Sequence, residues 1–130
     1  MATRLPVAVL FLLLAACGDQ NASAPASQTV TGGIAERGHS ILEANRHGCA
    51  ACHVIPGVAG ARGLVGPPLN AMGLRGYIAG RLPNQPENLI YWIAHPQSVD
   101  PQTAMPDTGI SEDEARHVAA YLYTLRTVPR

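Results

Sequence analysis

A chain of 130 residues has room for one domain and one hydrophobic core. Its nine basic residues are all Arg, there is no Lys, and nine Asp plus Glu balance them; without the basic surplus that phosphate binding needs, a general nucleic-acid role is excluded. One Trp, one Phe and four Tyr leave the core short of large rings, a deficit that a buried macrocycle would fill, and three cysteines, an odd number, fit no simple disulfide framework.

The chain opens with Arg4 and then an apolar run from Leu5 to Leu14, a short, positively started signal peptide too brief for a comfortable membrane span. It ends in Leu14-Ala15-Ala16-Cys17, which resembles the lipobox of bacterial lipoproteins. That resemblance implies cleavage before Cys17 and acylation of its thiol; the alternative is an ordinary signal peptide cut after Ala16 beside an incidental cysteine. More than one acyl chain gives stable anchoring where a single chain is marginal. Residues 17–33 are then a lipidated cysteine and a flexible tether of Gly, Ser, Ala, Thr, Gln and Asn that buries no core. As a random coil, roughly 15 such residues span on the order of 20 Å. The division expected is 1–16 signal peptide, 17–33 anchor and tether, and 34–130 the folded domain.

Within that domain the apolar spacing predicts a first helix from about Ile34 to Arg46, with Ile34, Ile41, Leu42 and Asn45 on one face. Gly38 in its middle weakens a helix unless another helix must approach closely there. Gly48 is the expected stop. The sequence then reads Cys49-Ala50-Ala51-Cys52-His53, a c-type haem attachment motif. Its two thiols are spaced to form thioethers with the two vinyl groups of one porphyrin, and the next residue supplies an axial imidazole to the iron. A redox dithiol or half of a zinc site would use the same Cys-x-x-Cys. The adjoining His53 and the lack of a second cysteine pair argue against both.

Residues 54–69 carry three Pro and four Gly and fit no regular element. A loop of this length in a small domain is expected to be functional, here wrapped around the haem. Met72 to Ala79 reads as a short helix ended by Gly80. Asn84-Gln85-Pro86-Glu87 starts another, with Leu89, Ile90, Trp92 and Ile93 as its apolar face and Pro96 as its stop. Residues 97–108 form a further loop holding Met105-Pro106. Ser111 and Glu114 make a capping box for the last helix, whose buried stripe is Ala115, Val118, Ala119, Leu122 and Leu125. The expected fold is all-α, three to four helices with long loops wrapped around a covalently bound haem, and no strand.

The attachment motif, Gly66-Pro67-Pro68-Leu69, Pro96 and Thr103-Ala104-Met105-Pro106 occur in the order found in class I cytochromes c, and from about Ile34 to Leu125 the chain resembles that family. The resemblance implies one covalently bound haem c, held through Cys49 and Cys52, with iron ligated by His53. It further implies that the Pro67 carbonyl accepts the other imidazole proton, that Arg75 and Thr103 bond propionates, and that Trp92 packs on the methionine side. Two features depart from the family. Arg46-His47 shifts the usual spacing before the motif, and the lysine ring around the haem edge is missing.

For the second iron ligand the bare sequence leaves Met72, Met105, His39, His47, His95 and His117 open. The family position before the last helix selects Met105, with His95 the main rival and His39 and His117 expected to be solvated on helices. The function expected is one-electron transfer without turnover of a small-molecule substrate. Its partners would be membrane redox complexes, a quinol-oxidising donor and a terminal-oxidase acceptor. The expected location is the periplasmic side of a bacterial membrane, lipid-anchored, or soluble in the periplasm if Cys17 is not acylated. The alternatives are a haem enzyme or sensor whose displaceable sixth ligand admits peroxide, NO or CO, and a small helical lipoprotein in which the motif is accidental.

Overall fold

A computed structural model of the chain describes residues 31–128. The expected signal peptide, Cys17 and most of the tether lie outside the described residues. Among the described residues, five helices are bounded, in the order α1 (Ala35–Ala44), α2 (Cys49–Cys52), α3 (Pro86–Ala94), α4 (Pro96–Val99) and α5 (Glu112–Thr124). A single 3₁₀ turn, Met72–Leu74, and a two-stranded antiparallel ribbon, β1 (Tyr77–Ile78) and β2 (Leu82–Pro83), stand between α2 and α3.

The core is set by α1 crossing α5. Ala35, Gly38 and Leu42 form the buried face of α1. At Gly38 the backbones meet: a Cβ placed there would lie 2.0 Å from the carbonyl oxygen of His117. The glycine that costs helix propensity is therefore the residue that allows the crossing. Gly33 makes a second such approach, with a would-be Cβ 2.2 Å from the Arg116 carbonyl oxygen. Ile41 is only partly buried and Asn45 is exposed, so the inner face of α1 is rotated from the one the apolar spacing suggested.

Asn45, and not Gly48, ends α1. It takes a left-handed conformation, φ 47°, and its side-chain oxygen accepts the Ala50 N–H at 3.2 Å. Asn is one of the few non-Gly residues that tolerate this region. Gly48, φ 70°, then supplies the second left-handed step and becomes the N-cap of α2. Two reversals in four residues swing the attachment motif back toward the core.

Three other expectations are corrected. Met72–Ala79 is no helix: after the 3₁₀ turn the chain extends, and Ile78 and Leu82 pair across a turn at Ala79-Gly80, both with positive φ. A strand is therefore present where none was expected. Pro96 does end α3 but also opens α4, because a proline is well suited to a helix's first turn. His117, expected to be solvated, is 6% exposed; its Nδ1 accepts the Ile34 N–H at 2.8 Å, and its Nε2 lies 3.7 Å from Asp113. An orphan donor near the start of α1 is thus satisfied by α5.

The capping box of α5 forms as expected: Ser111 Oγ accepts the Glu114 N–H at 3.2 Å and the Glu114 carboxylate accepts the Ser111 N–H at 3.3 Å. Ala115, Val118, Ala119 and Leu122 of its stripe are buried. The 54–69 loop is tied down by side chains from both long helices. His39 Nε2 meets the Gly57 carbonyl oxygen at 2.7 Å, Glu43 accepts the Ala59 N–H at 2.8 Å, and Tyr121 Oη donates to the Pro56 carbonyl at 2.6 Å.

Gly38→Ala is expected to destabilise the fold by about 2–3 kcal/mol, the overpacking cost at a backbone contact exceeding the roughly 1 kcal/mol that alanine gains in helix propensity. Denaturant unfolding checks this. A variant as stable as the parent would mean that the two helices do not meet at this residue.

Candidate haem site

The walls of the core leave a cavity of about 260 Å³, many times the ~30 Å³ share of one water molecule. It is lined mainly by apolar side chains, among them Leu42, Leu69, Met72, Ile78, Leu89, Ile93, Val118 and Leu122. It is lined too by Cys49, Cys52, His53, Pro67, Arg75, Trp92, Thr103 and Met105, the residues that the family resemblance assigns to the cofactor. A wider depression of about 390 Å³ lies outside the α1–α5 crossing, lined mostly by charged side chains such as Glu36, Arg37, Arg46 and Asp113. Cys49, Cys52, His53 and Met105 do not line it.

One side of the cavity is built by α2. Its single helical turn sets Cys49 and Cys52 three residues apart and so on one face, both as free thiols. Burial pushes the Cys49 thiol above its ordinary value of 9.0, outweighing the hydrogen bonding that lowers it. The helix ends at His53, whose extended conformation, φ −119° and ψ 146°, turns the imidazole out of the helix. His53 Nδ1 then donates to the Pro67 carbonyl oxygen at 2.8 Å, leaving Nε2 as the nitrogen with a free lone pair. The ring lies against Gly66, where an added Cβ would be 2.2 Å from Cε1. The Gly66 N–H is itself held by the Cys52 carbonyl at 2.8 Å. Glycine here is required by contact with the imidazole.

Further lining comes from α3 and the loop between α4 and α5. Trp92 reaches the cavity from α3. Met105 is half-buried, and its N–H donates to Thr103 Oγ1 at 3.2 Å. That bond leaves the Thr103 hydroxyl proton available to an acceptor in the cavity. The Arg75 guanidinium donates to the Pro68 carbonyl at the cavity's edge.

Among the residues weighed as the second iron ligand, His39, His95 and His117 do not line the cavity. His95 faces Glu112 at 3.3 Å and packs on Tyr91 with ring centroids 5.1 Å apart. Met72 lines the cavity but is a core side chain, 4% exposed. His47 also borders the cavity, on the side of the attachment motif.

One organising residue was missed in the sequence. Asn84 Nδ2 donates to the carbonyls of Met72 (2.8 Å) and Arg75 (2.9 Å), and its Oδ1 accepts from Tyr123 Oη at 2.9 Å. It holds the Met72–Arg75 segment of the wall to α5. Burial, with Glu87 adding to it, pushes the Tyr123 phenol up to about 12, so it remains a donor throughout the physiological range. An Asn before Gln-Pro-Glu reads as ordinary helix-start chemistry, and nothing local distinguishes a hub.

The donor set suits a covalently attached haem. Two thiols stand on one helical turn, an imidazole is oriented by a carbonyl, and a thioether and a guanidinium line the same cavity. Comparison with known proteins agrees. Residues 35–126 match the family model described as Cytochrome c. The chain is also 35% identical over 96 residues to a protein named cytochrome c oxidase subunit 2 from Alkalihalophilus pseudofirmus, a match covering 73% of this chain and 27% of that relative. The chain belongs to the cytochrome c family. It is a haem protein that transfers electrons and carries haem c, with its iron, bound covalently.

Gly66→Ala is expected to push the His53 imidazole from its place, weaken its bond to Pro67 and cost about 1–3 kcal/mol of stability. Unfolding of the haem-loaded protein, followed with its visible spectrum, checks this. Parental stability and spectrum together would show that the ring does not rest on Gly66.

Proposed function

We propose that this protein is a membrane-surface electron carrier in which His53 and Met105 close the iron from both sides, that it turns over no small-molecule substrate, and that its partners are respiratory redox complexes. The observation that carries the reading is the position of Met105: its loop brings a thioether into the same apolar cavity as the imidazole of His53. Bound there, haem c supplies one-electron Fe(III)/Fe(II) chemistry, and a soft neutral thioether favours the ferrous state and raises the potential. The protein's own part is to hold the donors in fixed geometry. Pro67 fixes the imidazole through Nδ1, Thr103 fixes the backbone at Met105, and the aliphatic walls exclude water.

The enzyme or sensor alternative drew on His95 as a polar residue poised beside the iron. Its side chain faces Glu112 and does not line the cavity, which favours the carrier. The relative's name, an oxidase subunit, supports a terminal oxidase as acceptor, with a quinol-oxidising complex as donor completing a respiratory relay. The Leu14-Ala15-Ala16-Cys17 sequence supports acylation at Cys17 and a lipid-anchored place on the periplasmic side of a bacterial membrane. Beside the attachment motif the surface exposes Leu64 (88%) and Val65 (71%). With no lysine in the chain, docking at this edge is expected to be steered by apolar contact more than by charge.

Met105→His is expected to abolish the weak long-wavelength band of methionine-ligated ferric haem and to lower the potential by on the order of 0.1–0.3 V, part of the ~0.8 V range that axial ligands set. Spectroelectrochemistry measures both; an unchanged spectrum would move the assignment to Met72. Electron transfer to a terminal oxidase should vary only weakly with ionic strength, and a steep fall with added salt would contradict the apolar docking edge.

A further inference from the structure

His47 occupies a place that the electron-carrier reading does not use. It lies between α1 and the attachment motif, lines the cavity, and has a side chain only 13% exposed. Both of its ring nitrogens face acceptors. Nδ1 is 3.4 Å from the carbonyl oxygen of Thr108, and Nε2 is 3.5 Å from Oε2 of Glu114. Nε2 is buried and within ion-pair range of the carboxylate but makes no hydrogen bond. Both distances exceed the ~2.9 Å of a tight bond, so the ring is a slack bridge between two fixed oxygens.

Each oxygen belongs to a segment that matters. Thr108 lies in the same loop as Met105 and itself lines the cavity. The other hydrogen bonds of residues 101–109 are local, such as Thr103 N–H to the Asp100 carbonyl and Gly109 N–H to Asp107. Among the described residues, the contact with His47 is the hydrogen bond that ties this loop to the proximal half of the cavity wall. Glu114 is immobilised by the capping box, whose hydrogen bonds from Ser111 hold its carboxyl below the ordinary 4.5, with His47 adding a smaller effect. Arg46 is a cation 3.6 Å from Glu114, but its side chain is 70% exposed.

We propose that His47 is a positioning residue for the axial methionine: through its contact with the Thr108 carbonyl, with Glu114 beside its other nitrogen, it fastens the Met105 loop to the wall that carries Cys49, and so keeps the thioether on the iron. The proposal rests on Met105 being the sixth ligand. Its action is through the loop, since His47 stands on the side of the attachment motif. Loss of the bridge leaves the loop held by its own turns and raises the population of loop-open protein.

The test uses the full haem-loaded protein and imidazole as a competing ligand for ferric iron. His47→Leu removes both contacts, whereas His47→Gln retains an amide N–H that can reach the Thr108 carbonyl. The apparent affinity for imidazole is expected to rise about 5- to 10-fold in His47→Leu, the equivalent of one lost hydrogen bond, and to recover at least partly in His47→Gln. Arg46→Gln, which removes only the exposed ion pair, should match the parent. Equal imidazole affinity in the parent and His47→Gln, together with no rise in His47→Leu, would overturn the proposal. If His47→Leu does not retain haem, His47→Asn, whose shorter side chain withdraws the amide from the Thr108 carbonyl, decides alone: no difference from the parent in imidazole affinity or in the methionine–iron band overturns the proposal. A rise matched by an equal loss of global stability would also overturn it, since the role would then be structural only. A parent lacking the methionine–iron band would overturn the Met105 assignment itself, and this proposal with it.

Discussion

The crossing of α1 over α5 at Gly38 is the constraint on which the rest of the structure depends. A helix backbone can rest on a neighbouring carbonyl only where no Cβ intervenes, and the His117 carbonyl occupies the space that one would fill. With that contact made, Leu42 and Val118 become adjoining parts of the cavity wall, and the end of α1 delivers the chain to the attachment motif. The same crossing buries His117, which answers the Ile34 N–H near the start of α1. Packing at this point therefore settles both the register of the two helices and the direction from which the haem-binding segment arrives.

From there the site is assembled by backbone groups as much as by side chains. The Pro67 carbonyl holds Nδ1 of His53, and the absence of a side chain at Gly66 leaves room for the ring against the loop. The 54–69 loop can do this because His39, Glu43 and Tyr121 hold it from two helices. Ile55, Val58 and Ala61 of the loop are buried in the core, and these polar anchors add to that packing. On the other side Asn84 performs the same service for the Met72–Arg75 segment. Both loops are long yet ordered, and in each the order comes from hydrogen bonds to main-chain carbonyls and amides.

The Met105 loop is built differently. Its own hydrogen bonds are mostly local turns, and its half-buried methionine relies on one Thr and one His at its flanks.

The sequence by itself determined what depends on near neighbours. Cys49, Cys52 and His53 declare haem attachment because thioether spacing and axial ligation are set within five residues. The Ser111–Glu114 box and the proline boundaries at Pro86 and Pro96 were legible because caps and turns are settled within one helical turn. Tertiary structure decided the rest. Whether His95, His117 or His47 faces the cavity depends on where α3 and α5 lie after packing, which no local pattern records. The end of α1 passed from Gly48 to Asn45 because the Asn45 side chain finds the Ala50 N–H once the chain has turned. The expected helix at Met72–Ala79 became a 3₁₀ turn and a strand because Asn84 draws the carbonyls of Met72 and Arg75 to itself. Helical propensity is worth fractions of a kcal/mol per residue, and long-range hydrogen bonds and burial outweigh it.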